Sequence, residues 1–348
     1  MTKSKGYGMK NKIMVAGNII VDYLYPITGY PERGQLTTIE DGCGKSVGGA
    51  VCNVGIDLKR LMPDTEICAL GLVGDDDSGR YALSVMEDEG VNTSLVGKKG
   101  ATSFTYVMSD KISRERTFFQ YRGANAHFSE DSFNWDDVDC DLIHIAYILL
   151  LDELDKEDSE YGTKMARLLA HAKERGIKTS IDVVSETGER FGRLVPPALR
   201  YTDYCIINEI EASRSTGIPL RAEDGALIYE NVKKVLSKLF ELGVSEWAVI
   251  HSPEGGFGMD KDGDYAECGL VYTPSGFIKG KVGAGDAFCA GVLSAAHRGL
   301  SLLDAVKLGN AAATVSLRSP GATEAMETIE ETMRICSELG FEPVKLSK

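Results

Sequence analysis

Along most of this chain, short runs rich in β-branched and apolar residues alternate with amphipathic stretches, and no other feature limits the fold as tightly. Residues 13–16 are followed by a helix-period segment at 50–61, then by a strand-like run at 66–72 and a second helix at 78–89. The rhythm resumes with a strand at 142–150, a helix near 161–174, strands at 178–182 and 204–207, a helix near 228–240 and a strand at 247–250. Parallel strands need helical crossovers, so the expectation is an α/β fold with a Rossmann-like, doubly wound sheet. Two stretches break the rhythm. Residues 20–39 and 102–121, the second with Phe104, Tyr106 and Met108 at alternate positions, read as antiparallel ribbons that together form a small β-sheet lid. Residues 286–338 read as three successive helices. The expected organisation is one domain over residues 12–340, with lid segments inserted at about 20–42 and 102–124.

Charge narrows the partners. The chain holds 52 acidic and 38 basic residues among 348, a formal net charge of −14, so its mean field repels nucleic-acid backbones and anionic membranes. Neither is expected as a partner. The same field repels nucleotide phosphates, and any phosphate site has to be built locally from backbone N–H groups and a cation. The eight cysteines include no C-x-x-C pair and the five histidines no i, i+4 pair, which points to reduced, buried thiols and away from zinc. Residues 1–12 are polar and basic, and the longest apolar stretch, 143–151, is too short to span a bilayer. A cytoplasmic protein is expected.

One segment has the make-up of a phosphate site. Gly280-Lys281-Val282-Gly283-Ala284-Gly285-Asp286 runs directly into an apolar helix-period stretch, so Gly283, Ala284 and Gly285 fall at a helix N-terminus. Small residues there let backbone N–H groups close on a phosphoryl oxygen, and the helix dipole adds about half a positive charge. Asp286, in the first turn, would sit beside the phosphate and accept the proton of an attacking hydroxyl. Asp is also favoured near any helix start, so this turn alone leaves a capping role equally open. Asn208-Glu209-Ile210-Glu211 follows the strand at 204–207, at the edge where open α/β sheets bind ligands, and offers oxygen atoms suited to magnesium and its waters. Its alternative is a helix cap. Gly48, Gly49 and Asn53 open the helix after the first ribbon and Asp22 follows the first strand, giving groups able to bind the hydroxyls of a polyol.

In this order the segments resemble the ribokinase or PfkB family of carbohydrate kinases over nearly the whole chain. Residues 17–22 are similar to the family's opening strand with its sugar-binding Asp, and residues 48–53 to its first signature. Residues 71–76 with Gly79 resemble its G-x-V-G-x-D segment, Asn208 and Glu211 its N-x-x-E motif, and residues 283–286 the end of D-T-x-G-A-G-D, whose last Asp is the family's base. The resemblance implies a ribokinase-like fold, a lid over the sugar, ATP near the C-terminal helices, and phosphate moving to a primary hydroxyl of a sugar or sugar derivative with Asp286 as general base. It implies Asp22, Gly48, Gly49, Asn53 and Asn125 at the acceptor, Asn208, Glu211, Gly255 and Asn310 at ATP, and Mg2+ held by Asn208 and Glu211 through water. Residues 310–313 and 319–322 are similar to the segment that borders the adenine pocket and contributes to a monovalent-cation site. Three departures stand out. Gly280 replaces the Asp that opens the second signature and Lys281 its Thr, so the family's potassium (K+) site does not carry over intact and the Lys281 ammonium is a candidate substitute. Residues 251–256 replace the usual G-x-x-G pattern, leaving Gly255 as the aligned glycine, and residues 182–185 lack the Asn and Arg of fructokinase-like members.

In the lid, Arg116 or Arg122 could pair with an acidic or phosphorylated sugar, because guanidinium binds carboxylate and phosphate bidentately. Charged residues on edge strands also discourage unwanted pairing. A nucleoside kinase is the nearest alternative and needs a flat aromatic clamp, while a catalytically silent sugar-binding regulator is the other, and Gly280 is the kind of change that permits it. A lid with one exposed face suggests a homodimer formed through it.

Overall fold

The computed structural model describes residues 11–113, 115–185 and 188–344. The chain opens with β1 (Lys12–Gly17), whose last five residues are all buried, then β2 (Ile20–Ile27) and β3 (Gly44–Gly48). These lead into α1 (Ala50–Leu61), β4 (Glu66–Val73), α2 (Asp77–Asp88) and β5 (Asn92–Lys98). A hairpin of β6 (Phe104–Asp110) and β7 (Arg116–Tyr121) follows, and β8 (Leu142–Ile148) returns to the core. The two-residue pair β9 (Glu157–Asp158) and β10 (Gly162–Thr163) precedes α3 (Lys164–Glu174), which starts where Thr163 caps it. Next come β11 (Lys178–Val183), α4 (Phe191–Leu199), β12 (Tyr204–Asn208), α5 (Glu209–Thr216) and α6 (Tyr229–Leu242). Strands β13 (Trp247–Ser252), β14 (Gly255–Asp260) and β15 (Tyr265–Gly269) end the sheet, and α7 (Ala284–His297), α8 (Leu302–Ser316) and α9 (Ile329–Leu339) end the fold.

The nine-stranded sheet runs β15-β14-β13-β12-β11-β8-β1-β4-β5. Its central strands are parallel, Val15 lying opposite both Ala69 and His144, whereas β14 and β15 add an antiparallel edge. Apolar side chains pack on both faces, which is why β1, β8 and β12 are almost continuously apolar. The carboxyl ends of β1, β8, β11, β12 and β13 therefore share one edge. No helix among the described residues is long and apolar enough to cross a membrane. All eight cysteines are free, Cys43 exposed and the other seven buried.

The lid is a separate four-stranded sheet, β3-β2-β6-β7. Its ends are antiparallel, as the ribbon reading expects, but β2 and β6 join in parallel, with Asp22 opposite Thr105. The first ribbon also differs from expectation. The partner of β2 is β3 at Gly44–Gly48, beyond the anticipated end of that segment, and only an isolated bridge between Ile27 and Ile39 marks the stretch between them. Gly-Lys-Ser-Val-Gly has too little apolar alternation to announce a strand.

Candidate active site

Helix α7 begins at Gly283, whose φ of 75° favours glycine and where a Cβ would come within 2.7 Å of the Ala322 Cβ. No side chain caps this end, which leaves the first backbone N–H groups free for a ligand. Asp286 stands in the first turn, 8% exposed. Its two oxygens are held from different elements: Asn53 Nδ2 of α1 donates to Oδ2 at 2.8 Å, and the Tyr147 hydroxyl of β8 donates to Oδ1 at 2.6 Å. Burial pushes the Asp286 carboxyl above its usual range, and these two hydrogen bonds pull it back down. The carboxylate is thus aimed by three elements and kept basic by desolvation.

Both donors are themselves positioned by the β1–β2 turn. Gly49, at φ 81°, starts α1 where a Cβ would meet the Asn18 carbonyl oxygen at 2.5 Å, so the helix carrying Asn53 approaches this turn only through a glycine. Asn18 Oδ1 accepts from the Tyr147 N–H at 2.8 Å and fixes the end of β8. Asp22 projects from β2. A Cβ on Gly48 would fall 2.4 Å from its Oδ2, so Gly48 makes room for that carboxylate. Burial raises the Asp22 carboxyl to about 6 despite a hydrogen bond from Thr105.

A cavity of about 850 Å3 lies between the lid and the turn before α7. Asp22 and Asn53 line it, and so do Lys45, Arg116, Lys279 and Lys281. Among the described residues none of these four cations forms an ion pair, in contrast to residues such as Arg60 and Arg221. The Lys45 ammonium lies 4.1 Å from the Tyr81 ring centroid.

At the neighbouring strand ends, Asn208 and Glu211 form a capping box on α5. Asn208 Oδ1 accepts from the Ile210 and Glu211 N–H groups, and Glu211 Oε2 accepts from the Asn208 N–H at 2.9 Å. Ser185 donates to Glu211 Oε1 at 2.8 Å. Glu211 is 4% exposed and its carboxyl is raised to about 7, chiefly by burial. Asp182, at the end of β11, is raised as well, by burial and then by the charges of Glu211 and Asp286. Among the described residues no three acidic, Cys or His side chains form a direct metal cage. The crowding at Asp182, which the charges of Glu211 and Asp286 raise, is what a nearby divalent cation would relieve, so the set fits Mg2+ held through water rather than by direct ligation.

Four of the expected site residues do not line this cavity. Asn125 is 1% exposed and spends both ends of its amide on the Ile19 backbone, at 3.2 and 3.0 Å, so it braces the β1–β2 turn rather than lining the cavity. Asn310 is 3% exposed and donates to the carbonyls of Cys268 and Gly269, clamping β15. Arg122 reaches the Leu149 carbonyl at 3.4 Å, and Arg116 is the lid arginine at the cavity. Gly255 opens β14 at φ 152°, against the Cys268 carbonyl, in the hairpin beside His251. His251 in turn packs on Phe288, 4.9 Å between ring centroids, and lies next to Gly285. Sequence reasoning missed Tyr147 and the role of Asn53 on the base. The signal for Tyr147 was available, a polar residue near the carboxyl end of a central strand.

Compared with known proteins, residues 10–329 match the pfkB family carbohydrate kinase. The 5-dehydro-2-deoxygluconokinase of Geobacillus thermodenitrificans is 24% identical over 82% of this chain and 83% of its own length. The nucleoside kinase of Methanocaldococcus jannaschii is 24% identical over 94% and 97%. Among solved structures, that nucleoside kinase superposes with a TM-score of 0.73 at 19% identity, covering 95% of this chain and 99% of the other. Arabidopsis thaliana ribokinase complexed with ribose and ATP gives 0.77 at 19%, covering 93% and 98%.

Proposed function

Because the chain belongs to the pfkB family of carbohydrate kinases and shares its ATP-dependent phosphotransferase activity, we propose that it phosphorylates a primary hydroxyl of a sugar or sugar derivative with Asp286 as general base. The observation that carries this reading is the buried Asp286 carboxylate, held on both oxygens at the first turn of α7 beside the cavity. Asp286 takes the proton of the acceptor hydroxyl as its oxygen bonds to the γ-phosphorus of ATP, and the bond to the leaving ADP oxygen breaks. The backbone N–H groups at Gly283, Ala284 and Gly285 face the charge that develops on the transferred phosphoryl group. Asn208 and Glu211 would hold Mg2+ through its waters, and the cation, when bound, would neutralise phosphate charge. Asp22 and Asn53 hold the acceptor from the lid side and from α1, the Asp22 carboxylate in the space that Gly48 leaves for it.

The four cations, without an ion pair among the described residues, favour an acceptor that carries a carboxylate or phosphate. In a chain of net charge −14 they converge on one cavity and outnumber its two carboxyls, Asp22 and Glu324, and a sugar acid supplies the remaining counter-charge. The test is coupled ADP release with MgATP across neutral sugars, sugar acids, sugar phosphates and nucleosides. Turnover on an anionic sugar at the lowest KM supports the full reading. A neutral sugar preferred over its acid keeps the kinase and removes the anionic acceptor, and turnover on a nucleoside alone replaces the sugar. No turnover on any acceptor, with sugar binding retained, identifies a silent regulator.

A further inference from the structure

Helix α1 carries a group that the proposed reaction does not use. Asp57 is 0% exposed, and among the described residues neither of its carboxylate oxygens has a hydrogen-bond partner. One turn earlier on the same helix face, Asn53 Oδ1 is likewise buried without a partner, while its Nδ2 donates to Asp286 Oδ2 at 2.8 Å. Three orphaned acceptor oxygens thus lie along one strip of α1, directly behind the base. Residues four apart on a helix have Cβ atoms about 5–6 Å apart, and the later side chain leans toward the earlier one. An ionised carboxylate is strongly disfavoured in such surroundings, whereas a carboxylic acid brings one O–H donor. A single proton on Asp57 then satisfies two of the orphans together, one oxygen of its own and Asn53 Oδ1.

We propose that Asp57 is a positioning residue for the base: it stands as the neutral acid, donates its O–H to Asn53 Oδ1, and so fixes the Asn53 amide with Nδ2 toward Asp286. Were Asp57 ionised, its carboxylate would draw the amide N–H2 to itself. Asn53 Oδ1 would then face Asp286 Oδ2, acceptor against acceptor, and the base would lose one of its two donors. The surroundings hold the proton on Asp57. Burial and the charge of Asp286 on α7 push its pKa up, and Glu324, beyond α8, and Glu89, after α2, act in the same direction. Arg60 opposes them, but its guanidinium is taken up by the Glu89 carboxylate and the Thr323 and Glu324 carbonyls. Asp57 therefore keeps its proton while Asp286 stays ionised and able to take one, and the Asn53 amide transmits the difference.

This inference rests on Asp286 being the base. Its test compares Asp57→Asn, which retains a donor to Asn53 Oδ1, with Asp57→Leu, which removes it. Asp57→Asn is expected to keep kcat within about threefold of the parent, while Asp57→Leu loses about tenfold or more in kcat with ATP and acceptor KM unchanged, as for one hydrogen bond to a charged group. The parent kcat should also fall at alkaline pH as Asp57 ionises, a limb that Asp57→Asn lacks. Unchanged kcat in Asp57→Leu, equal damage in both variants, or an alkaline limb that persists in Asp57→Asn would each overturn the proposal. Should Asp57→Leu fail to fold, the pH profile of Asp57→Asn decides alone. Asp286→Asn, assayed alongside, separates the two readings: if it turns over normally the base is misassigned, whatever Asp57 does.

Discussion

Replacing Tyr147 by Phe removes one oxygen from the site and almost no volume. The hydroxyl lost is the donor at 2.6 Å to Asp286 Oδ1. The backbone N–H of residue 147 still donates to Asn18 Oδ1, so the end of β8 stays anchored. This hydrogen bond favours the charged form of Asp286 and opposes the upward push of burial. A hydrogen bond to a charged group is worth about 1.5–3 kcal/mol, and one pH unit corresponds to about 1.4 kcal/mol. Tyr147→Phe is therefore expected to move the acid limb of kcat/KM up by roughly one to two pH units, with a loss of about ten- to a hundredfold on that limb. At pH values above both limbs the variant should approach parental activity, because a more basic carboxylate still accepts the proton. The assay is kcat/KM against pH for both proteins at saturating MgATP. An acid limb that stays in place, or a uniform loss at every pH, would refute the claim that Tyr147 acts by holding the ionised base.

Three further outcomes follow from the same geometry. A Cβ at Gly280 would meet Pro320 Cα and the Ser319 carbonyl oxygen at 2.7 Å, so Gly280→Asp should lower the melting temperature, and turnover of the parent should be the same in potassium and sodium buffers; activation of the parent by potassium would contradict this. Asp22 and Glu211 have folded-state pKa values of about 6 and about 7, above their ordinary range; the folded state then binds more protons than the unfolded one, and stability should fall as pH rises through this window. Scanning calorimetry should show a higher melting temperature near pH 5.5 than near pH 8, with MgADP narrowing the gap; the opposite order would contradict the burial of these carboxyls. In the lid, Phe119 and Tyr121 are exposed on the face of β7 opposite the one by which Arg116 and Phe118 line the cavity, which fits a homodimer formed through that outer face; Phe119→Glu should convert it to a monomer in light scattering, and a monomeric parent would dispose of the idea.

Most of the scaffold was legible because its signals are local. Strands β1, β8, β12 and β13 are buried on both faces and read as apolar runs, and residues 283–286 announced a helix start able to face an anion. Helix α4 escaped notice because Pro196 and Pro197 sit inside it, and β3 because two of its five residues are glycine. The site was harder to read because its contacts are long-range: Tyr147 lies 139 residues from Asp286 and Asn53 lies 233. Nothing local in Ala-Tyr-Ile says which hydroxyl ends against which carboxylate. Asn125 and Asn310 show that an Asn placed at a site by resemblance can also serve the backbone, Asn125 through both ends of its amide and Asn310 through its Nδ2.

The central claim is that Asp286 removes the acceptor proton, and the most direct measurement is the rate of phosphoryl transfer by Asp286→Asn beside its affinity for ATP. A general base contributes about 10²- to 10⁴-fold, so the variant should bind MgATP as the parent does while transferring phosphate at least about a hundredfold more slowly. Transfer at close to the parental rate, with binding intact, would contradict the account.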